Sequence, residues 1–183
     1  MSGHNKWSQI KRKKGVTDAA KSKIFSKYSR LISLESKKAN GNITSPSLKA
    51  IIDQAKSVNM PNDNIERAIK KGVGADTEAL EKVVYEAYGP LGVQLIIDGV
   101  TSSRNKASSE VKHILSKHGG SLGTQGSVLW AFTKTSEGYE AMNPVTISGE
   151  SAQAVARLIE ELEDNDEIHN VYTNADFDEN FEL

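Results

Sequence analysis

There is no cysteine anywhere in these 183 residues. That removes disulfides, thiolate nucleophiles and the cysteine-based zinc modules. No apolar run approaches the roughly 18 residues needed to cross a bilayer, so no membrane partner is expected. The basic N-terminus is followed by no apolar h-region, so the sequence reads as lacking a secretory signal, and the expected home is the cytoplasm. Paired carboxylates at a catalytic spacing, a Ser/His/Asp grouping and an HExxH run are all missing. His113 and His118 stand five apart on one predicted helix and so miss the shared face that an i, i+4 pair would have. Neither His4 nor His169 adds a ligand pattern. No enzyme activity, metal, cofactor or small-molecule substrate is expected.

What is present is charge, and it is unevenly placed. The whole chain is nearly neutral, with 23 Lys and Arg against 24 Asp and Glu. Residues 1–71 hold 16 basic and 5 acidic side chains, a surplus of 11 positive charges. The rest holds 7 basic and 19 acidic, a surplus of 12 negative charges. A polyanion meets two different surfaces here, and such asymmetry is a nucleic-acid signal. The alternative is a solvated, Lys-rich helical domain.

The cations begin in residues 1–16, which read as a basic arm carrying Lys6, Lys11, Arg12, Lys13 and Lys14. Trp7 lies among them with little apolar company. It reads either as a staple against the helical bundle or as a base-stacking platform. Thr17 or Asp18 can cap a helix that runs to about Ala39, where Asn40-Gly41 stops it. Its apolar face is Ala20, Ile24, Tyr28 and Leu31, widened by Phe25 and Ile32. Lys21 extends the positive charge, while Lys23, Lys27, Arg30 and Lys37 fall within an arc of roughly 80°. Ser45-Pro46 starts a second helix with Leu48, Ile51, Ile52, Ala55 and Val58 inward. Pro61 opens a third, with Ile65, Ala68 and Ile69. These helices make a three-helix bundle over residues 17–77.

The period then changes. Val83–Tyr88 and Val93–Val100 read as strands about a Gly89–Gly92 turn. A helix follows over about 103–118. Ser127–Thr133 reads as a strand, with Trp130 in or half in the core. Pro144–Ile147 is a weak strand, Glu150–Asp164 an amphipathic helix and Ile168–Thr173 a closing strand. The fold class is α+β: a helical bundle, then a ferredoxin-like α/β sandwich with an extra strand over 78–176. Residues 177–183 read as a frayed acidic tail.

Two loops could approach a phosphodiester. Arg104, Asn105 and Lys106 open a helix whose amides and cations suit a phosphate. The glycine-rich run from His118, Gly119 and Gly120 to Gly126 lacks a P-loop ending and follows a helix. A C-cap with a flexible loop is its plainer reading.

Seven segments occur together: GHNKWSQIKRKK, KSKIFSK, MPNDNIERAIKKG, YEAYGPLGV, TSSRNKA, HGGSLGTQGSV and NVYTNAD. In this order they resemble the YebC/PmpR family, whose mitochondrial members are translational activators of cytochrome c oxidase. The resemblance implies a non-enzymatic regulator of gene expression. It allows two partners: RNA on the ribosome, as in a translation factor, or DNA, as in a transcriptional regulator. A protein-interaction scaffold using the acidic half is a third reading. Family members usually insert a further α/β domain after the SVxxxF strand. Here Phe132 runs into a short segment, so that insertion, near 134–143, is expected to be absent or reduced to a hairpin. Leu91 also stands where the family usually has Gly.

Overall fold

The computed structural model describes residues 7, 9, 10, 15–75 and 79–182. These divide into two compact units. One holds residues 17–75 and 79–82 with 100–102; the other holds 83–99 and 103–182 and takes in Trp7 and Ile10.

The helical unit is built from α1 (Asp18–Lys38), α2 (Pro46–Ser57) and α3 (Asn62–Val73). The Thr17 hydroxyl caps α1 by accepting the Ala20 N–H at 3.2 Å. Gly41, at φ +76°, ends it by donating its N–H to the Ser36 carbonyl at 2.9 Å. Ile32, Leu48, Ala55, Met60, Ile65 and Ala68 form the core, with Phe25 and Tyr28 packed against it.

Helices α1 and α3 cross closely because the residues at the crossing are small. The Ser33 and Ser36 hydroxyls donate to the carbonyls of Ala68 and Ile69 at 2.9 and 2.8 Å. A Cβ on Gly72 would overlap the Ser33 carbonyl oxygen and lie 2.7 Å from the Ser36 Cβ. Gly72→Ala is therefore expected to lower the stability of this unit by about 1–3 kcal/mol, although Ala is the better helix former. Thermal unfolding followed by circular dichroism checks this; an unchanged or raised midpoint would show that the helices can separate without loss.

Glu35 is buried at the same end of α1. Burial pushes its carboxyl up, but hydrogen bonds and charge from Lys82 at 2.8 Å and Lys38 at 3.0 Å outweigh that and leave it below the ordinary value.

The other unit is an α+β layer structure, in agreement with the class read from the sequence. Its strands are β1 (Glu81–Tyr88), β2 (Gln94–Thr101), β3 (Ser121–Leu122) and β7 (Ile168–Thr173), in the sheet order β3-β1-β2-β7. Its helices are α4 (Arg104–Lys117) and α5 (Gly149–Asp164). Strand β2 reads Leu95-Ile96-Ile97 because both its faces are covered. Leu95 and Ile97 join Val111, Leu115, Val155 and Ile159 on the helix side. Ile96 and Tyr172 face the other way, under Val128, Phe132 and Ala141.

That second cover is the antiparallel hairpin β4 (Phe132–Thr135) and β5 (Gly138–Ala141), paired Phe132 to Ala141 and Thr135 to Gly138. It stands where the sequence suggested a reduced insertion. The predicted strand over 127–133 is not in the main sheet. Residues 125–128 are turn, Leu129–Ala131 is a 3-10 turn, and the extended chain starts only at Phe132. The additional strand β1 takes an interior place in the sheet and pairs with β3. Two short strands, β6 (Val145–Ile147) and β8 (Ala175–Phe177), run parallel as a separate pair.

The tail is a second correction. Phe177 is fully buried and lies against Phe181 in a tilted pair, 5.2 Å between ring centroids, so this end is packed at least to Phe181. At the β1–β2 turn Leu91 adopts φ +60°, the left-handed region in which glycine is unstrained.

Candidate nucleic-acid interface

Lys6, Lys11, Arg12, Lys13 and Lys14, the cations of the arm, lie outside the described residues. Trp7 is described, and it overturns both sequence readings. The indole is 1% exposed and stacks on Phe177, with centroids 5.3 Å apart and planes at 29°. Its Nε1–H donates to the Glu163 carboxylate at 3.3 Å. It is thus a core residue of the α/β unit, neither a staple of the helical bundle nor a surface for a base. Ile10 packs against the same core. The missing clue was Phe177, assigned from sequence to a frayed tail.

The cationic flank of α1 exists as a helical face. Lys21 is exposed, 3.7 Å from Asp18. Lys23, Lys27 and Arg30 are half-buried, and each already has an interaction partner. Their alkyl stems can cover apolar surface while the charged ends reach out. Lys37 is exposed in the last turn, where a cation also relieves the helix dipole.

In the α/β unit, Ser103 caps α4 by accepting the Lys106 N–H at 3.5 Å. Arg104, Asn105 and Lys106 are all exposed on this first turn. The Lys106 ammonium lies 3.7 Å from Glu110, an exposed pair of small energetic weight.

The glycine-rich run behaves differently from a phosphate cradle. Gly119 and Gly120 end α4: their N–H groups donate to the carbonyls of Ser116 at 3.2 Å and Leu115 at 2.7 Å. Gly119 takes φ +72°, and a Cβ on Gly120 would lie 2.5 Å from the Tyr88 carbonyl oxygen. His118 places Nε2 2.6 Å from the Glu161 carboxylate, which also binds Lys117 at 2.8 Å. Lys117, and after it His118, hold the Glu161 carboxyl below its ordinary range.

Further along, the amides are consumed internally. Gly123 donates its N–H to the Glu86 carbonyl at 2.8 Å. The Glu86 carboxylate, 5% exposed, accepts the N–H groups of Gly126 at 2.5 Å, Val128 at 2.6 Å and Leu129 at 2.8 Å. Burial pushes this carboxyl up, and the three backbone donors outweigh burial and bring it below the ordinary value. An acidic residue of the protein itself thus occupies the amides that would otherwise face a phosphate. The alternation of β1 places Glu86 on the face of Tyr88, but nothing local in the sequence pairs it with residues 40 positions away.

Trp130 is the other reversal. Instead of packing mid-strand, it is 65% exposed on the 3-10 turn, and its Nε1–H is satisfied by the Ser127 carbonyl at 2.8 Å.

The molecule is thus an α+β protein with a positively charged three-helix unit and a loop-bearing α/β unit, a class without a marked catalytic grouping among the described residues. The family model described as the TACO1/YebC protein N-terminal domain matches residues 5–75, and the one described as the TACO1/YebC second and third domain matches residues 80–137 and 134–175. The chain belongs to the TACO1/YebC family. A protein of Fervidobacterium nodosum named "Probable transcriptional regulatory protein" is 35% identical over 240 aligned positions, covering 98% of this chain and 95% of that one. Since 240 positions exceed 183 residues by 57, at least that many have no counterpart here. A like-named protein of Borreliella burgdorferi is 53% identical over 135 positions, 72% of this chain and 55% of the relative. Among solved structures, a conserved hypothetical protein of Aquifex aeolicus, Aq1575, is similar with a TM-score of 0.79 and 29% identity, over 88% of this chain and 93% of that one.

Proposed function

We propose that this protein is a non-enzymatic nucleic-acid-binding regulator of gene expression that acts on the ribosome through RNA contacts. The observation that carries the reading is the charge division, with 16 basic against 5 acidic side chains in residues 1–71. Phosphates are gripped by Lys6 and Lys11–Lys14 of the arm and by Lys21, Lys23, Lys27 and Arg30 on α1. The exposed first turn of α4, with Arg104, Asn105 and Lys106, supplies a further contact through its amides and cations. Phosphate contacts of this kind position a protein on nucleic acid without reading sequence.

A second reading, a DNA-binding transcriptional regulator, is favoured by the names of the relatives, "Probable transcriptional regulatory protein". Sedimentation with ribosomes, set beside gel shifts on promoter and scrambled duplexes, separates the two. Co-migration with ribosomal fractions that is lost on RNase treatment supports the first reading. Absence from those fractions with selective duplex binding overturns it in favour of the second.

Replacing Lys11, Arg12, Lys13 and Lys14 together by Glu is expected to weaken polyanion binding about tenfold or more at 0.1 M salt and to flatten its salt dependence. Fluorescence anisotropy across a salt series measures both. An unchanged affinity and slope would remove the arm from the interface.

A further inference from the structure

We propose that Trp130 is a stacking platform for an unpaired nucleobase, a contact that rests on the nucleic-acid reading above but uses a part of the molecule outside the basic residues. Among the described residues it is the one aromatic in the set of large, strongly exposed apolar side chains. An indole left this open in a compact unit needs a reason, since full burial of such a ring is strongly favourable.

The ring is held in place. Its Nε1–H is bonded to the Ser127 carbonyl at 2.8 Å, so the polar edge is satisfied and the π faces remain to be offered. The backbone on either side is anchored: Val128, Ala131 and Phe132 are buried in the cover of the sheet. Glu86 ties down the N–H groups of Gly126, Val128 and Leu129 from below. A pre-ordered aromatic loses little entropy on binding, which is what makes such a ring an effective contact.

The surroundings suit a base better than a protein. Thr124, Gln125 and Gly126 are exposed on the same loop, and a Gln amide can bond to a base edge. The space next to Gly126 is open, with no atom within 4 Å of a built Cβ. One indole with polar residues 124–126 on its loop and the exposed Met142 bonded to the neighbouring Ala131 is far short of the roughly 800 Å² per partner of a standard protein interface. Stacking needs no cation, so it can operate on a unit whose other charges are mostly acidic.

The test uses the full chain with labelled single-stranded oligo(U) and oligo(A) of equal length and with a duplex of matched charge. Trp130→Ala is expected to weaken single-strand binding about fivefold to a hundredfold, with an unchanged slope of log affinity against log salt. Trp130→Phe is expected to retain most of the affinity, and duplex binding is expected to stay as in the parent. The exposed position predicts an unaltered melting curve, which keeps misfolding apart from lost contact. Parent-like single-strand binding by Trp130→Ala, or an equal loss on single strand and duplex, overturns the stacking site alone. A parent chain that binds none of the three probes overturns the nucleic-acid reading and this site with it.

Discussion

Trp7→Ala is expected to destabilise the α/β unit by about 3–5 kcal/mol, the range for truncating a fully buried large aromatic. The indole is 1% exposed and lies against Phe177, which in turn lies against Phe181. Its removal leaves a cavity among side chains from distant parts of the chain, where relaxation is limited. It also strips the Glu163 carboxylate of the indole donor at 3.3 Å, a lesser part of the cost because that bond is only partly buried. Trp7→Phe should keep much of the stacking and cost markedly less. Urea unfolding followed by far-UV circular dichroism measures the difference, and Trp130, on the surface, leaves a fluorescence signal in both variants. A loss below about 1 kcal/mol for Trp7→Ala would show that the indole is not part of the core.

The second large effect belongs to Glu86. Its two carboxylate oxygens serve three backbone donors, Gly126 on one and Val128 with Leu129 on the other. Glu86→Gln presents one acceptor oxygen and one NH₂ group. If the oxygen keeps Val128 and Leu129, the NH₂ faces the Gly126 N–H, donor against donor. The expected loss is about 2–4 kcal/mol, the scale of a buried charge-assisted network with one arm broken.

The pH dependence has a definite sign. The folded carboxyl is held below its ordinary value of 4.5, so its contribution to stability is complete above that pH. It is lost as the pH falls through the lower, folded value, because protonation removes acceptor capacity from three backbone amides, of which that of Val128 is buried. As the pH falls below the ordinary value of 4.5 and through the lower, folded one, the parent should lose more stability than Glu86→Gln, which has no proton to take up. Parallel pH profiles for the two proteins would show that the carboxylate is not the acid-sensitive group. Because the same bonds hold the turn that presents Trp130, Glu86→Gln should also weaken single-strand binding while leaving the salt slope in place.

Periodicity located the helices of both units, because each has a stripe long enough to outweigh local noise. α1 was marked by its cap at Thr17 and stop at Asn40-Gly41; α2 and α3 by Pro46 and Pro61. The β1–β2 pair was readable from a glycine-proline turn between apolar runs. The hairpin at 132–141 was visible only as a short connection, since Thr133, Lys134, Thr135 and Glu140 have no apolar alternation to announce a strand. β6 was readable as the weak strand at Pro144–Ile147, whereas the two-residue β3 and the three-residue β8 are set by long-range pairing, with too few residues to carry a pattern of their own.

The two tryptophans show where a linear reading stops. Trp130 stands between Leu129 and Phe132 and looks buried, while Trp7 stands among lysines and looks exposed. In the folded chain their environments are exchanged. Burial is decided by what the rest of the chain brings to a position: Phe177 comes to Trp7 across 170 residues, and Glu86 turns the backbone at 126–129 so that Trp130 points outward. Composition, charge placement and helical period, which depend on neighbours within a few turns, were determined by the sequence itself. The capture of the Gly126, Val128 and Leu129 amides by Glu86, the packed C-terminal end and the exposure of one indole were decided by tertiary contacts, because each depends on hydrogen-bond or packing partners 40 or more residues away.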